Sequence, residues 1–120
     1  GGLLNKALGS KDGIVRYGFA VTPMDEAIAQ VSLDLSGRPY LVYQLPETLL
    51  LAAGFNAFLA REFFCSFSNT AGMNLHIRVD YGENDHHVNE AVFKALGRAL
   101  DQAASLDPRI KGAHSSKGTF

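Results

Sequence analysis

The stretch that decides the fold is LHIRVDYGENDHHVNEAVFKALGRALDQA, residues 75–103. Its first seven residues alternate between apolar and polar side chains, the period of two that predicts a half-buried strand. Gly82 should break the strand, and Asn84 or Asp85 can cap a helix that follows. Beyond the cap, apolar residues recur every three or four positions, which predicts a helix with one core-facing stripe. The stripe consists of Val88, Val92, Leu96, Ala99 and Ala103.

Three shorter β-rich runs precede this stretch, at residues 16–21, 27–35 and 40–43. The second alternates most clearly, and the first should stop at Pro23 because proline interrupts a strand. Ser36-Gly37 is a tight-turn signal between the second and third runs. Together these features predict a meander of three antiparallel strands.

A first helix is predicted between the meander and the fourth strand, from Phe55 to a glycine stop at Gly72. Its apolar residues recur at helical spacing and are Phe55, Phe58, Leu59, Phe63 and Phe67. Cys65 lies within this pattern, so a buried thiol is expected rather than a nucleophile. The order β-β-β-α-β-α predicts an α+β fold, a four-stranded sheet with two helices packed on one face.

The composition is that of one ordinary globular domain, with 120 residues, 47% of them hydrophobic and 19% charged. Its 11 basic and 12 acidic residues are well mixed, which argues against a broad nucleic-acid-binding surface. The single cysteine excludes an internal disulfide framework and fits a reducing compartment. No apolar run approaches the roughly 20 residues that span a bilayer, and no secretory signal opens the chain. We therefore expect a soluble, cytoplasmic protein without a nucleic-acid or membrane partner.

The segment His86-His87-Val88-Asn89-Glu90, at the start of the second helix, is predicted to bind metal. Glu90 shares a helix face with each histidine, whereas the two histidines point about 100° apart. They would strain to ligate one ion together, so two ions, or one ion and a substrate, are indicated. Two imidazoles and a carboxylate suit manganese, zinc or iron, and the helix macrodipole should keep the rings neutral. A pair of solvated histidines is the alternative.

One helix supplies too few ligands, so others must come from elsewhere in the chain. The candidates are Glu62, His76 and His114, although the first two are as readily explained as solvated side chains. Other residues suit an oxyanion such as phosphate, because they offer cations and hydroxyls. They are Arg16, Arg38, Lys94 and the segment Ser115-Ser116-Lys117-Gly118, each of which could also be ordinary surface.

Six segments resemble imidazoleglycerol-phosphate dehydratase, in that family's order and nearly its spacing. They are GIVRYG (13–18), PMDEA (23–27), DLSGRPYL (34–41), YGENDHH (81–87), EAVFKA (90–95) and SSKG (115–118). The resemblance implies a ribosomal protein S5 domain 2-like fold and a lyase of histidine biosynthesis. Such enzymes remove water from imidazole glycerol phosphate to give imidazole acetol phosphate. They use two manganese ions, held by histidines and glutamates, in a large symmetric assembly with active sites between subunits.

The resemblance also implies roles for individual residues. His86, His87 and Glu90 would be metal ligands, joined by Glu62 just before the Phe63-Phe64 pair. The resemblance thus favours Glu62 over His76 and His114 as the further ligand. Substrate contacts, several of them to the phosphate, would come from Arg16, Arg38, Lys94, Ser115, Ser116 and Lys117. Glu26 would be a catalytic acid, by analogy with a proton-moving glutamate of the family's other repeat. A simple turn carboxylate is the alternative for Glu26.

The family enzyme is an internal duplication, and this chain resembles its second half. We expect residues 1–120 to form one domain, with 1–10 a remnant of the preceding repeat's last helix and 108–120 a polar tail. Residues 45–61 depart from the family and are more apolar, which favours a partner. Two functions are therefore open: a dehydratase completed by homo-oligomerisation, or a catalytically inactive half-domain that binds metal and self-assembles.

Overall fold

The elements follow the predicted order along the chain. The structure, a computed structural model, describes residues 12–110, except the side chains of residues 51–56, 58 and 110. The elements are β1 (Tyr17–Met24), β2 (Ala27–Asp34), β3 (Tyr40–Gln44), α1 (Glu47–Ala71), β4 (Asn74–Tyr81), α2 (Asp85–Ala104) and a 3-10 turn (Pro108–Ile110). The α+β fold with the order β-β-β-α-β-α is confirmed. The expected helix remnant at 1–10 and most of the tail lie outside the described residues.

The strand order in the sheet is β1-β2-β4-β3, so the predicted three-stranded meander is wrong. β1 and β2 form an antiparallel hairpin, β4 adds antiparallel to β2, and β3 lies parallel to β4 at the edge. A parallel pair needs a crossover connection, which α1 provides. Alternation could not show this order, because a period of two reports which face of a strand is buried and not which strand lies beside it.

The core lies between one face of the sheet and the two helices. Its strand residues alternate along β2 and β4, and they are Ala27, Ala29, Val31, Leu33, Leu75, Ile77 and Val79. All five residues of the predicted α2 stripe are buried against them, which confirms that prediction. β1 continues through Pro23, contrary to the prediction. β1 is an edge strand, and a proline is tolerated where the missing N–H would face away from the neighbouring strand.

α1 differs more from its prediction, because it begins at Glu47 rather than Phe55, although it ends at Gly72 as expected. Phe64 is a deeply buried aromatic residue of its second half, at 1% exposure, whereas the predicted stripe residues Leu59 and Phe63 are each 49% exposed. Cys65 is exposed, so the prediction of a buried thiol is wrong. Several apolar residues are adjacent in this helix, and each residue turns the helix by about 100°, so spacing alone does not select the buried face.

Gly18 allows α2 to lie directly against β1. A Cβ atom at this position would lie 1.9 Å from the carbonyl oxygen of Ala99 in α2. Farther along β1, the Thr22 hydroxyl donates a hydrogen bond of 2.5 Å to the carbonyl of Ala91. These two contacts hold the helix along the strand and bring its first turn beside the β1–β2 hairpin turn.

Candidate metal centre

The first turn of α2 is capped as the sequence predicts. Asn84 has an extended backbone, and its side-chain oxygen accepts a hydrogen bond of 3.1 Å from the backbone N–H of His87. Such a cap satisfies one of the helix's otherwise unpaired N–H groups. Just before it, a Cβ atom at Gly82 would lie 2.6 Å from the side chain of Val88, so a glycine fits the connection from β4. The Asn84 cap and the close packing at Gly82 therefore fix the position of the histidine pair.

Glu26, in the hairpin turn between β1 and β2, joins that turn to the start of α2. Its Oε2 accepts hydrogen bonds of 2.8 Å from the backbone N–H groups of both Glu83 and Asn84. Its Oε1 lies 2.6 Å from Nδ1 of His87. The neighbouring residue, Asp25, has a left-handed backbone with φ of 51°, and its Oδ2 lies 3.2 Å from Nε2 of His87. Both ring nitrogens of His87 therefore face carboxylates of one turn.

These contacts shift the pKa values of both partners. The hydrogen bonds from the backbone of Asn84 and Glu83, followed by the one with His87, lower the pKa of Glu26 from 4.5 to about 2. The hydrogen bond with Glu26 raises the pKa of His87 above its ordinary 6.5, and the charges of Glu26, Asp25 and Glu90 add to the effect. The three carboxylates therefore act on His87 in the direction opposite to the expected effect of the helix macrodipole, because they favour the charged ring.

The other predicted residues of α2 lie close by. Glu90 acts electrostatically on His87, and its Oε1 also lies 3.7 Å from Nζ of Lys94, one turn farther along the helix. His86 is exposed at the same helix start. The structure thus gathers His86, His87, Glu90 and Lys94 on the first three turns of α2. Within residues 12–110, however, no three histidine, cysteine, aspartate or glutamate side chains converge as a ready-made metal site.

Glu62 lies on α1 and its side chain is exposed. The neighbouring Phe63 and Phe64 rings pack on Phe93 of α2, with centroids 5.7 and 5.4 Å apart. This contact brings the Glu62 segment to the part of α2 that follows Glu90. The ligand role of Glu62 stays a prediction.

The two arginines expected to contact substrate lie at the other end of the sheet. Arg16 precedes β1 and makes a two-pronged ion pair with Asp34, with Nε–Oδ1 at 2.6 Å and Nη2–Oδ2 at 3.1 Å. The carbonyl of Arg38 accepts a hydrogen bond from Asn74, the first residue of β4, whereas the histidine pair follows the last. The eight residues of β4, at about 3.3 Å each, separate the two groups by about 25 Å.

The remaining candidates lie apart from the cluster or outside the described part of the chain. His76 is exposed on the open face of β4, opposite Ser32 of β2. His114, Ser115, Ser116 and Lys117 fall outside residues 12–110. The contacts that sequence reasoning missed are those of Asp25 and Glu26 with His87. The PMDEA segment drew attention to Glu26, but no pattern in the sequence pairs it with a residue 61 positions away.

We expect the Glu26–His87 pair to stabilise the metal-free fold most between about pH 4.5 and 6.5. A carboxylate whose pKa is lowered by folding loses its contribution as pH falls below its unfolded value toward about 2. A histidine whose pKa is raised loses its contribution as pH rises from 6.5 through the folded value. The difference in Tm between wild type and Glu26→Gln should therefore peak in this window. A difference that grows steadily with pH would contradict the pairing.

The fold and this cluster define an α+β domain with a candidate metal centre where a helix start meets a hairpin turn. The family model for imidazoleglycerol-phosphate dehydratase matches residues 1–100, and the chain belongs to that family. The resemblance stated from the sequence is therefore confirmed. No helix within residues 12–110 combines the length and apolar character needed to cross a membrane.

Curated relatives share more than half of their aligned residues with the chain. It is 58% identical over 118 residues to the imidazoleglycerol-phosphate dehydratase of Desulfosudis oleivorans, which covers 98% of this chain and 60% of the relative. It is 55% identical over 120 residues to the enzyme of the same name from Syntrophobacter fumaroxidans, at 100% and 61% coverage. The chain thus spans about 60% of the length of the curated relatives it matches.

Solved structures agree with the fold. The crystal structure of imidazoleglycerol-phosphate dehydratase from Staphylococcus aureus matches 89% of this chain and 62% of its own, with a TM-score of 0.79 and 39% identity. The enzyme from Pyrococcus furiosus, solved in complex with (S)-C348, matches 90% of this chain and 62% of its own, with a TM-score of 0.70 and 35% identity.

Proposed function

We propose that this chain acts as a manganese-dependent hydro-lyase of histidine biosynthesis, converting imidazole glycerol phosphate to imidazole acetol phosphate in the cytoplasm. The observation that carries the proposal is the histidine and carboxylate cluster at the start of α2, in a chain of the dehydratase family. We infer manganese as the metal and a homo-oligomer as the working state.

The donor chemistry of the cluster fits manganese. Imidazole nitrogens and carboxylate oxygens together suit borderline divalent ions, and no soft thiolate is needed. His86, His87 and Glu90 would contribute ligands to a two-manganese site, with Glu62 as the further ligand. When bound, manganese supplies a Lewis acid that stabilises negative charge on the substrate's imidazole ring. The chain's own cations, Lys94 among them, would bind the phosphate group through charge-assisted hydrogen bonds.

The distribution of the candidate residues supports completion of the site by another chain. Arg16 and Arg38 lie about 25 Å from the histidine pair along β4, farther than one small phosphate ester can reach. Half-exposed apolar side chains on the two helices support association as well. They are Leu59, Phe63 and Phe93, with exposures of 47–49%.

The decisive experiment is turnover of imidazole glycerol phosphate by the manganese-loaded chain, measured as formation of imidazole acetol phosphate. The variant His86→Asn/His87→Asn should lose both turnover and bound manganese. The control is His76→Asn, which changes an exposed histidine on the open sheet face and should retain both. Equal activity in the two variants would contradict the assignment of the site.

The half-exposed side chains of Leu59, Phe63 and Phe93 also favour a second candidate function. In this alternative the chain is an inactive half-domain that binds metal and self-assembles. Metal analysis combined with mass measurement in solution separates the two. Bound manganese in an assembly without turnover supports the module, and a metal-free monomer contradicts both.

A further inference from the structure

The contacts of Glu26 determine which nitrogen of His87 carries hydrogen. Oε2 is already engaged by two backbone N–H donors, and Oε1 faces Nδ1 at 2.6 Å. An ionised carboxylate has only acceptor sites, so Nδ1 must be the donor in this pair. A neutral imidazole has one donor and one acceptor nitrogen, which leaves the lone pair on Nε2.

We propose that Glu26 is a positioning residue that holds His87 in its Nδ1–H tautomer. The lone pair on Nε2, on the side of Asp25, is then available to a metal ion. This inference rests on the proposed function, because it gives His87 its metal-binding role. It also assigns Glu26 a different task from proton transfer to substrate. Metal-binding histidines commonly donate their second ring nitrogen to a carboxylate in this way.

The surroundings of Nε2 suit a cation. Oδ2 of Asp25 lies 3.2 Å from Nε2, so in the neutral ring two acceptors face each other. A proton can occupy the space between them in the metal-free protein, and a divalent ion can replace it. Two ligand atoms that each lie about 2.1 Å from one ion, at an angle of about 90–110° at the ion, are themselves about 3.0–3.4 Å apart. The observed separation lies in that range.

Glutamine at position 26 discriminates between a positioning role and a merely structural one. Its single carbonyl oxygen can accept the two backbone N–H bonds, which places its NH₂ group toward Nδ1 of His87. An NH₂ group only donates, so Nδ1 must become the acceptor and Nε2 must carry the hydrogen. Glu26→Gln would therefore keep the anchoring of the turn but block the metal-binding lone pair. Glu26→Ala would lose the anchoring and leave the ring free to adopt either tautomer.

The first measurement is the tautomer of His87, read from ¹⁵N chemical shifts of the metal-free 120-residue chain at a pH where the ring is neutral. We expect Nδ1–H in the wild type and Nε2–H in Glu26→Gln. The control is Glu83→Gln, which makes the same chemical change at an exposed neighbouring side chain and should leave the wild-type tautomer. Nε2–H in the wild type would overturn the proposal.

The second measurement is manganese affinity by titration. Glu26→Gln should bind about 10- to 100-fold more weakly than wild type, whereas Glu83→Gln should change little. Glu26→Ala should bind better than Glu26→Gln despite a lower Tm. If Glu26 only anchors the turn, the order reverses, and Glu26→Gln binds as well as the control. If the wild type binds no manganese, the proposed function fails, while the tautomer still decides whether Glu26 orients the ring.

Discussion

Replacement of Gly18 by alanine is expected to destabilise the fold by about 3 kcal/mol or more. The new methyl group would lie 1.9 Å from the carbonyl oxygen of Ala99 and 2.7 Å from its carbonyl carbon. Both are backbone atoms within α2, so they cannot move aside as a side chain could. Relief requires α2 to shift away from β1, which opens the core. Urea denaturation measures the loss as a lower midpoint at unchanged slope.

Gly97 offers a matched control on the same helix. A Cβ atom there meets nothing within 4 Å, so Gly97→Ala should stabilise the protein by about 0.5–1 kcal/mol through helix propensity. Equal midpoints for the two variants would show that α2 does not lie against β1 as described. Because α2 carries His87, Gly18→Ala should also weaken the proposed manganese binding, and Gly97→Ala should not.

Phe64→Ala should destabilise the chain by about 3–5 kcal/mol, because it empties the contact between α1 and the sheet. The Phe64 side chain is 1% exposed, and its ring lies 5.5 Å from Tyr43 of β3 and 5.4 Å from Phe93 of α2, between centroids. It therefore joins three elements. Thermal and urea unfolding, monitored by circular dichroism, would both report the loss.

The adjacent Phe63→Ala is the control, because it makes the same substitution on a side chain that is 49% exposed. We expect a cost of about 1 kcal/mol, mainly from lost ring contacts with Phe64, Phe67 and Phe93. Similar costs for both variants would contradict the assignment of Phe64 as the core residue. A cost for Phe63→Ala that rises with protein concentration would indicate that this ring is covered in an assembly.

The local structure of the second half of the chain could be predicted from sequence because its signals are local. Alternation in β4, the Asn84 cap and the α2 stripe each depend on residues within a few positions of one another, and the structure confirms all three. The position of β4 between β2 and β3 depends on pairing over long separations, which no short pattern encodes. The start of α1 could not be predicted either, because its first turns lack a clear apolar period.

The candidate site also has a part that local sequence patterns predicted and a part that they could not predict. The spacing of His86, His87 and Glu90 on one helix start predicted a metal-binding cluster, and the family resemblance agreed with it. The pairing of His87 with the hairpin turn could not be predicted, because Glu26 meets it only after β1, β2 and α2 have packed. The rise in the pKa of His87 could not be predicted for the same reason, since the carboxylates of Asp25 and Glu26 come from that distant turn.

The central place of β4 has a consequence for synthesis on the ribosome, where a chain emerges in sequence order. The β1–β2 hairpin and β3 emerge first, yet they share no hydrogen bonds until β4 follows and bridges them. Contacts between distant residues form slowly, and unpaired strand edges are prone to aggregate. The nascent chain therefore carries an open edge on β2 through the translation of all of α1. Any chaperone that assists this chain should act in that interval, before Tyr81 leaves the exit tunnel.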